Sequence, residues 1–343
     1  MTDLTAFAHG LPKAELHLHL EGTLEPELKF ELAARNGIEL AQKTVEDVRA
    51  TYDFTDLTSF LAVYYPAMQV LQTAEDFHDL AWAYLRRAHA QGVVHVEMFF
   101  DPQAHTSRGV PFADVITGYR RAAVRAQDEL GVSAELILCF LRDFSAEYAM
   151  ATLMEALPYR AWILGVGLDS DERDNPPAKF AAVFARAKAE GFFLTMHCDI
   201  DQIGSVDNIR TVLTDIGVDR IDHGTNIVED PELVALAIEK GIGFTCCPVS
   251  NSFVTEQMKA DEIVGLLRQG ARVTLNSDDP AYFGAYVGDN YVALAEHADL
   301  DAADLVQLAV NSFEASWLTA ARRAAFIARV EEYAAAHGVA LAA

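Results

Sequence analysis

Short runs rich in β-branched and aromatic residues recur along the chain, separated by Ala-rich stretches whose apolar residues fall every three or four positions. In order they cover residues 14–20, 93–100, 134–141, 163–168, 192–198, 220–222, 242–246 and 272–275. Strand-like runs that alternate with helical stretches predict parallel βαβ units, and eight of them close naturally into an α/β (β/α)8 TIM barrel. Nearly every run ends in polar or turn residues, among them His19-Leu-Glu21-Gly22, Asp101-Pro102, Asp169-Ser-Asp171, His197-Cys-Asp199, His223-Gly224 and Asn276-Ser-Asp278-Asp279-Pro280. In a barrel all strand C-termini open on one face, so these distant residues are delivered to one mouth. An open doubly wound sheet would spread them along a line, and no G-x-G-x-x-G follows the first run.

About 70 residues separate the first two runs, far more than the two to six of an ordinary βα loop. Within them Phe54, Leu57, Phe60, Leu61, Tyr64 and Tyr65 keep helical spacing. Residues 22–92 therefore read as a helical insertion over the barrel mouth, with a helical layer on the outer wall as the alternative. Residues 290–343 read as C-terminal helices. No repeat or linker divides the chain, so residues 1–343 are expected to form one domain.

With 51% hydrophobic residues in 343, the chain can bury a large core and is not disordered. Its 51 acidic residues against 26 basic give a net charge of −25. That field repels phosphate backbones and anionic lipid, which excludes nucleic acid and membrane surfaces as partners and leaves a small-molecule substrate. A homo-oligomer remains open. The four cysteines, Cys139, Cys198, Cys246 and Cys247, form no C-x-x-C pair and lie in strand-like runs. They read as buried thiols in a reducing compartment. No secretory leader or long uncharged apolar run is present, so a soluble, cytoplasmic protein is expected.

The first local signal of chemistry is His17-Leu-His19 at the end of the first run. Alternation along a strand puts both imidazoles on one face, where one metal ion can take both. Further donors stand at other strand ends: His197 on the fifth, His223 on the sixth and Asp278 on the eighth. Three imidazoles and a carboxylate with an open water position suit Zn2+. No lysine ends the fourth run, which favours a single ion over a lysine-bridged pair.

PKAELHLHLEG, RIDHG and VTLNSDDPAYF resemble the adenosine/adenine deaminase family of the amidohydrolase superfamily, and the likeness spans nearly the whole chain. DPQAHTSRG and GLDSDE resemble its adenine deaminase branch more than its adenosine branch. The resemblance implies a zinc-bearing barrel that hydrolyses the 6-amino group of a purine. It places one zinc on His17, His19, His197 and Asp278. It gives His223 the attacking water, Asp279 the purine N7, and Glu21 a position beside the metal facing the substrate. Ser170 stands where the adenosine branch commonly has a glycine on the N3 side.

The chain departs from the family pattern at one point. The family's fifth strand begins His-Ala-Gly-Glu, and that Glu protonates purine N1. Here the sequence is His197-Cys198-Asp199-Ile200-Asp201-Gln202, and Ile200 cannot donate a proton. Period-two geometry puts Asp199 and Asp201 on the face of His197, so either can replace the missing acid. The expected activity is hydrolysis of adenine to hypoxanthine and ammonia in purine salvage or catabolism. An N6-substituted adenine, adenosine, or an inactive purine-binding barrel are the alternatives.

Overall fold

The computed structural model describes residues 3–198, 202–255 and 257–339. Eight strands form one parallel series: β1 (Lys13–Glu15), β2 (Val93–Phe100), β3 (Ser133–Leu141), β4 (Ile163–Asp169), β5 (Phe193–Cys198), β6 (Arg220–His223), β7 (Gly243–Cys246) and β8 (Arg272–Leu275). Each pairs in parallel with the next, and helices follow the strands to give a (β/α)8 TIM barrel.

The seam between β8 and β1 corrects the reading of residues 14–20 as one strand. Regular strand ends at Glu15, because the Leu16 N–H is taken by Asn276 Oδ1 (2.8 Å) instead of a ladder carbonyl. Beyond it the chain pairs through isolated bridges, Leu18 with Asp278 and His19 with Phe99.

Alternation along β2 sorts its two faces. Val94, Val96, Met98 and Phe100 are buried, and the Phe100 ring packs 5.8 Å from Tyr119 on the helix Phe112–Leu130. On the other face Glu97 pairs with Arg220 Nη1 at 2.5 Å, and the Arg220 guanidinium lies 4.1 Å from the Trp317 ring. Both charges are fully buried, so this pair closes one level of the barrel interior with an ionic plug. Two residues on, Phe99 packs against His17, His19 and His197 at ring separations of 5.0, 5.1 and 5.5 Å. It is an apolar floor for the site above.

The helices between β1 and β2 divide into two groups. The helix Leu57–Ala67 starts at an Asp56 capping box, and its apolar stripe of Leu57, Phe60, Leu61, Tyr64 and Tyr65 lines the cavity at the mouth. The helix Ala74–Ala90 instead lies against Phe112–Leu130 in the outer layer. Gly118 permits that contact, since a Cβ there would come within 2.4 Å of Ala74 O. Among the described residues no helix is long and apolar enough to cross a membrane, and all four cysteines are buried and outside any disulfide.

Candidate active site

Donor atoms from four strand ends converge at the mouth. His17 Nε2 and His19 Nε2 lie 3.2 and 3.3 Å from the same oxygen, Asp278 Oδ1. His19 Nε2 is 3.1 Å from His197 Nε2. Donor atoms of His17, His197, His223 and Asp278 also lie within 4.8 Å of one another. His223 Nε2 approaches the second Asp278 oxygen at 3.8 Å, and the Ser250 hydroxyl donates to that oxygen at 2.7 Å.

The electrostatics of this cluster fit a cation. Burial drives His17 down to about 3 and His197 down to about 4, so both imidazoles are neutral with a lone pair to offer. Burial also works against charge on His19, but Asp279 and Asp278 outweigh it and push His19 up to about 10. Burial alone would raise Asp278; His17, His19 and His223 hold it well below the usual carboxylate range instead. Carboxylates packed this closely around imidazoles are what a divalent ion neutralises.

Each of the three imidazoles gathered at Asp278 Oδ1 is backed on its other nitrogen. His17 Nδ1 meets Thr245 Oγ1 at 2.9 Å, His19 Nδ1 faces Asp169 Oδ2 at 3.4 Å, and His197 Nδ1 faces Asp222 Oδ2 at 3.4 Å. Thr245 in turn donates to Asp222 Oδ1 at 2.9 Å. Such outer partners fix ring orientation and tautomer in metal sites. None of Thr245, Asp169 or Asp222 was assigned a role from sequence, although Asp222 stands inside RIDHG and Asp169 inside GLDSDE.

Backbone strain marks the same places. Ser170, His223 and Asp278 have φ of 74°, 56° and 63°, in the left-handed region that non-glycine residues seldom adopt. At Asp278 this turn sets two adjacent aspartates to different tasks: Asp278 joins the histidines, while Asp279 lines the cavity. Asp279 Oδ1 is buried with no hydrogen-bond partner among the described residues. Burial and the neighbouring Asp278 charge raise its carboxyl well above the ordinary range. Gly22 lies against it, and a Cβ there would come within 2.0 Å of Asp279 Oδ1.

The cavity holds about 620 Å³, part of it open to solvent, and reaches His19, His197, His223, Asp278 and Asp279. Ser170 lines it and accepts a 2.7 Å hydrogen bond from the Tyr65 hydroxyl, tying the helix Leu57–Ala67 to the end of β4. Asp101 and Asp169 line it too. Glu21 is not among the residues that line it. Its Oε1 accepts from Tyr119 and His105 at 2.8 Å each, because the chain enters a 3-10 turn at Glu21–Thr23 and strand alternation no longer holds. Burial opposes ionisation of Glu21, yet His105 and Tyr119 keep its carboxylate below the usual range. His105 is thus a partner of Glu21 and not a wall of the cavity. Asp199 and Asp201 lie outside the described residues.

Buried imidazoles around a carboxylate at the C-terminal face of a barrel are the arrangement that the motifs suggested. The adenosine deaminase family model matches residues 12–333. The chain belongs to that family. As a member of the adenosine deaminase family it is a metal-dependent hydrolase acting on a C–N bond of a cyclic amidine. It is 50% identical over 335 residues to the adenine deaminase of Zymomonas mobilis subsp. mobilis, covering 97% of this chain and 99% of that one. A solved adenine deaminase from Arthrobacter aurescens matches with a TM-score of 0.91 and 43% identity, over 95% of this chain and 99% of that chain. An amidohydrolase from Burkholderia ambifaria with bound Zn matches with a TM-score of 0.89 and 28% identity, over 98% and 96%.

Proposed function

We propose that the chain hydrolyses adenine to hypoxanthine and ammonia, with one Zn2+ held by His17, His19, His197 and Asp278. The observation that carries this reading is the meeting of two histidine nitrogens on Asp278 Oδ1, with the third His197 nitrogen beside them, at the floor of a cavity walled by Asp279. The adenine deaminases among its relatives and the zinc in the related amidohydrolase support the substrate and the metal. Zinc in such a site supplies Lewis acidity that brings the pKa of water to about 7.

The protein's own groups do the rest. His223, at the rim of the donor set, takes the proton of the attacking water. Purine N7 is an acceptor, so Asp279 must donate to it, and burial beside the Asp278 charge favours the protonated carboxyl. Ser170 stands on the N3 side. Purine C6 becomes tetrahedral only if N1 gains a proton, and Asp199 or Asp201 supplies it on the strength of their spacing from His197. The amino group then takes up a proton and leaves as ammonia, and C6 becomes the carbonyl carbon of hypoxanthine.

A second reading has one observation behind it. Leu57, Phe60, Leu61, Val254 and Phe283 give the cavity an apolar wall, which suits an N6-alkyl substituent released as an amine. Turnover by zinc-loaded protein across adenine, adenosine and N6-alkyladenines decides between them. Adenine is expected to give the highest kcat/KM. Zinc-loaded protein inert toward all of them would remove the deaminase reading. Four buried cysteines outside any disulfide support a reducing, cytoplasmic setting.

A further inference from the structure

We propose that Asp101 accepts the N9–H of the purine and so restricts the site to free bases, excluding nucleosides. The inference rests on the deaminase reading and extends it to the far edge of the ring. The strands run in order around the mouth, β8 next to β1, then β2 to β5. The purine perimeter runs in order too: N7, C8, N9, N3, C2, N1. With C6 over the histidines, N7 goes to Asp279 after β8, N3 to Ser170 after β4, and N1 to the segment after β5. N9 must then face the arc from β1 to β3. The cavity residues that end those strands are His19, already committed to the metal, and Asp101.

Asp101 is built for a ligand and not for the fold. It is 1% exposed, lines the cavity, and its Oδ1 has no hydrogen-bond partner among the described residues. It occupies the N-cap position of the helix Pro102–Thr106, yet its side chain caps no N–H there. Asp169 beside it is turned to His19 Nδ1. An acceptor lone pair remains on Asp101 whichever oxygen of the pair carries a proton. A free base presents N9–H to it; a nucleoside presents a glycosidic carbon and leaves a buried carboxyl unsatisfied. Sites built around such a bond reject the analogue that lacks it by large factors.

The test compares hypoxanthine with 9-methylhypoxanthine, which are not turned over, by calorimetric binding to zinc-loaded protein, alongside kcat/KM for adenine and 9-methyladenine. Wild type is expected to bind the 9-methyl ligand at least about 100-fold more weakly than its parent base. Asp101→Leu has the same branched shape and is no smaller, so it keeps any clash with the methyl group, but it has no acceptor. It is expected to lose affinity for the parent base until the two ligands bind within about threefold, with zinc content unchanged. Asp101→Asn, which retains a carbonyl, is expected to preserve most of the discrimination. Equal binding of both ligands by wild type, or undiminished discrimination by Asp101→Leu, overturns the proposal. Equal binding by wild type overturns the proposal even if Asp101→Leu fails to fold. Failure of the deaminase reading shows separately, as absence of turnover, while the binding ratio still reports on N9.

Discussion

His19 and Asp278 are joined twice. The His19 backbone N–H donates to Asp278 O at 3.0 Å, and His19 Nε2 lies 3.3 Å from Asp278 Oδ1. The first contact helps close the barrel where β8 meets β1; the second assembles half of the donor set. One peptide therefore serves both the fold and the chemistry. The left-handed backbone at Asp278, of order 1–3 kcal/mol in cost, is held because the seam fixes it from both sides.

Asp222 controls the site from behind. It faces His197 Nδ1 and accepts from Thr245, the partner of His17. Asp222→Asn is predicted to weaken metal binding about 10- to 100-fold with little loss of folding stability. Competition against a chelator measures the first, and thermal unfolding of the metal-free protein the second.

Gly22 protects the placement of Asp279. In Gly22→Ala the new Cβ would meet Asp279 Oδ1 at 2.0 Å and Asp279 Cα at 2.7 Å, so the carboxyl must move. A higher KM and a lower kcat for adenine are expected together, about 100-fold in kcat/KM, with metal content intact. Steady-state kinetics beside metal analysis separates this from a metal defect.

The ionic plug predicts a stability effect remote from catalysis. Glu97→Leu leaves the buried Arg220 with only the more distant Asp222 carboxylate, 3.9 Å from its Nε, and should cost about 3–5 kcal/mol in denaturant unfolding. Glu97→Leu combined with Arg220→Met should recover most of it, because both charges are then gone.

Lys13 links stability to pH. Burial lowers its pKa to about 7, against an ordinary 10.5, despite the nearby Glu15 carboxylate. Between those two values the unfolded chain binds the proton that the folded chain has shed, so stability rises with pH. The penalty is complete below about pH 7 and fades toward 10.5. Wild type should gain stability relative to Lys13→Met between about pH 7 and 9, measured by urea unfolding at each pH. A difference that stays flat over this range would contradict it.

The barrel was legible because its strands are short apolar runs ending in turn residues, and even the four-residue β6 is flanked by recognisable neighbours. The residues that meet around Asp278 were legible for the same reason, as each ends a strand. The partners of Glu21 were not legible, because it sits in a 3-10 turn and they come from 84 and 98 residues away. The role of Asp222 was hidden in register: β5 and β6 pair His197 with Asp222, a relation that one sequence does not display. The first strand looked longer than it is, since nothing local announces that Asn276 will take the Leu16 N–H.

Titrating metal-free protein with Zn2+ while following adenine turnover tests the central claim most directly. Activity is predicted to rise in proportion to bound zinc and level off at one ion per chain, and His17→Ala and His19→Ala should neither retain the ion nor turn over adenine. Full turnover by metal-free protein, or none by protein carrying one zinc per chain, would contradict it.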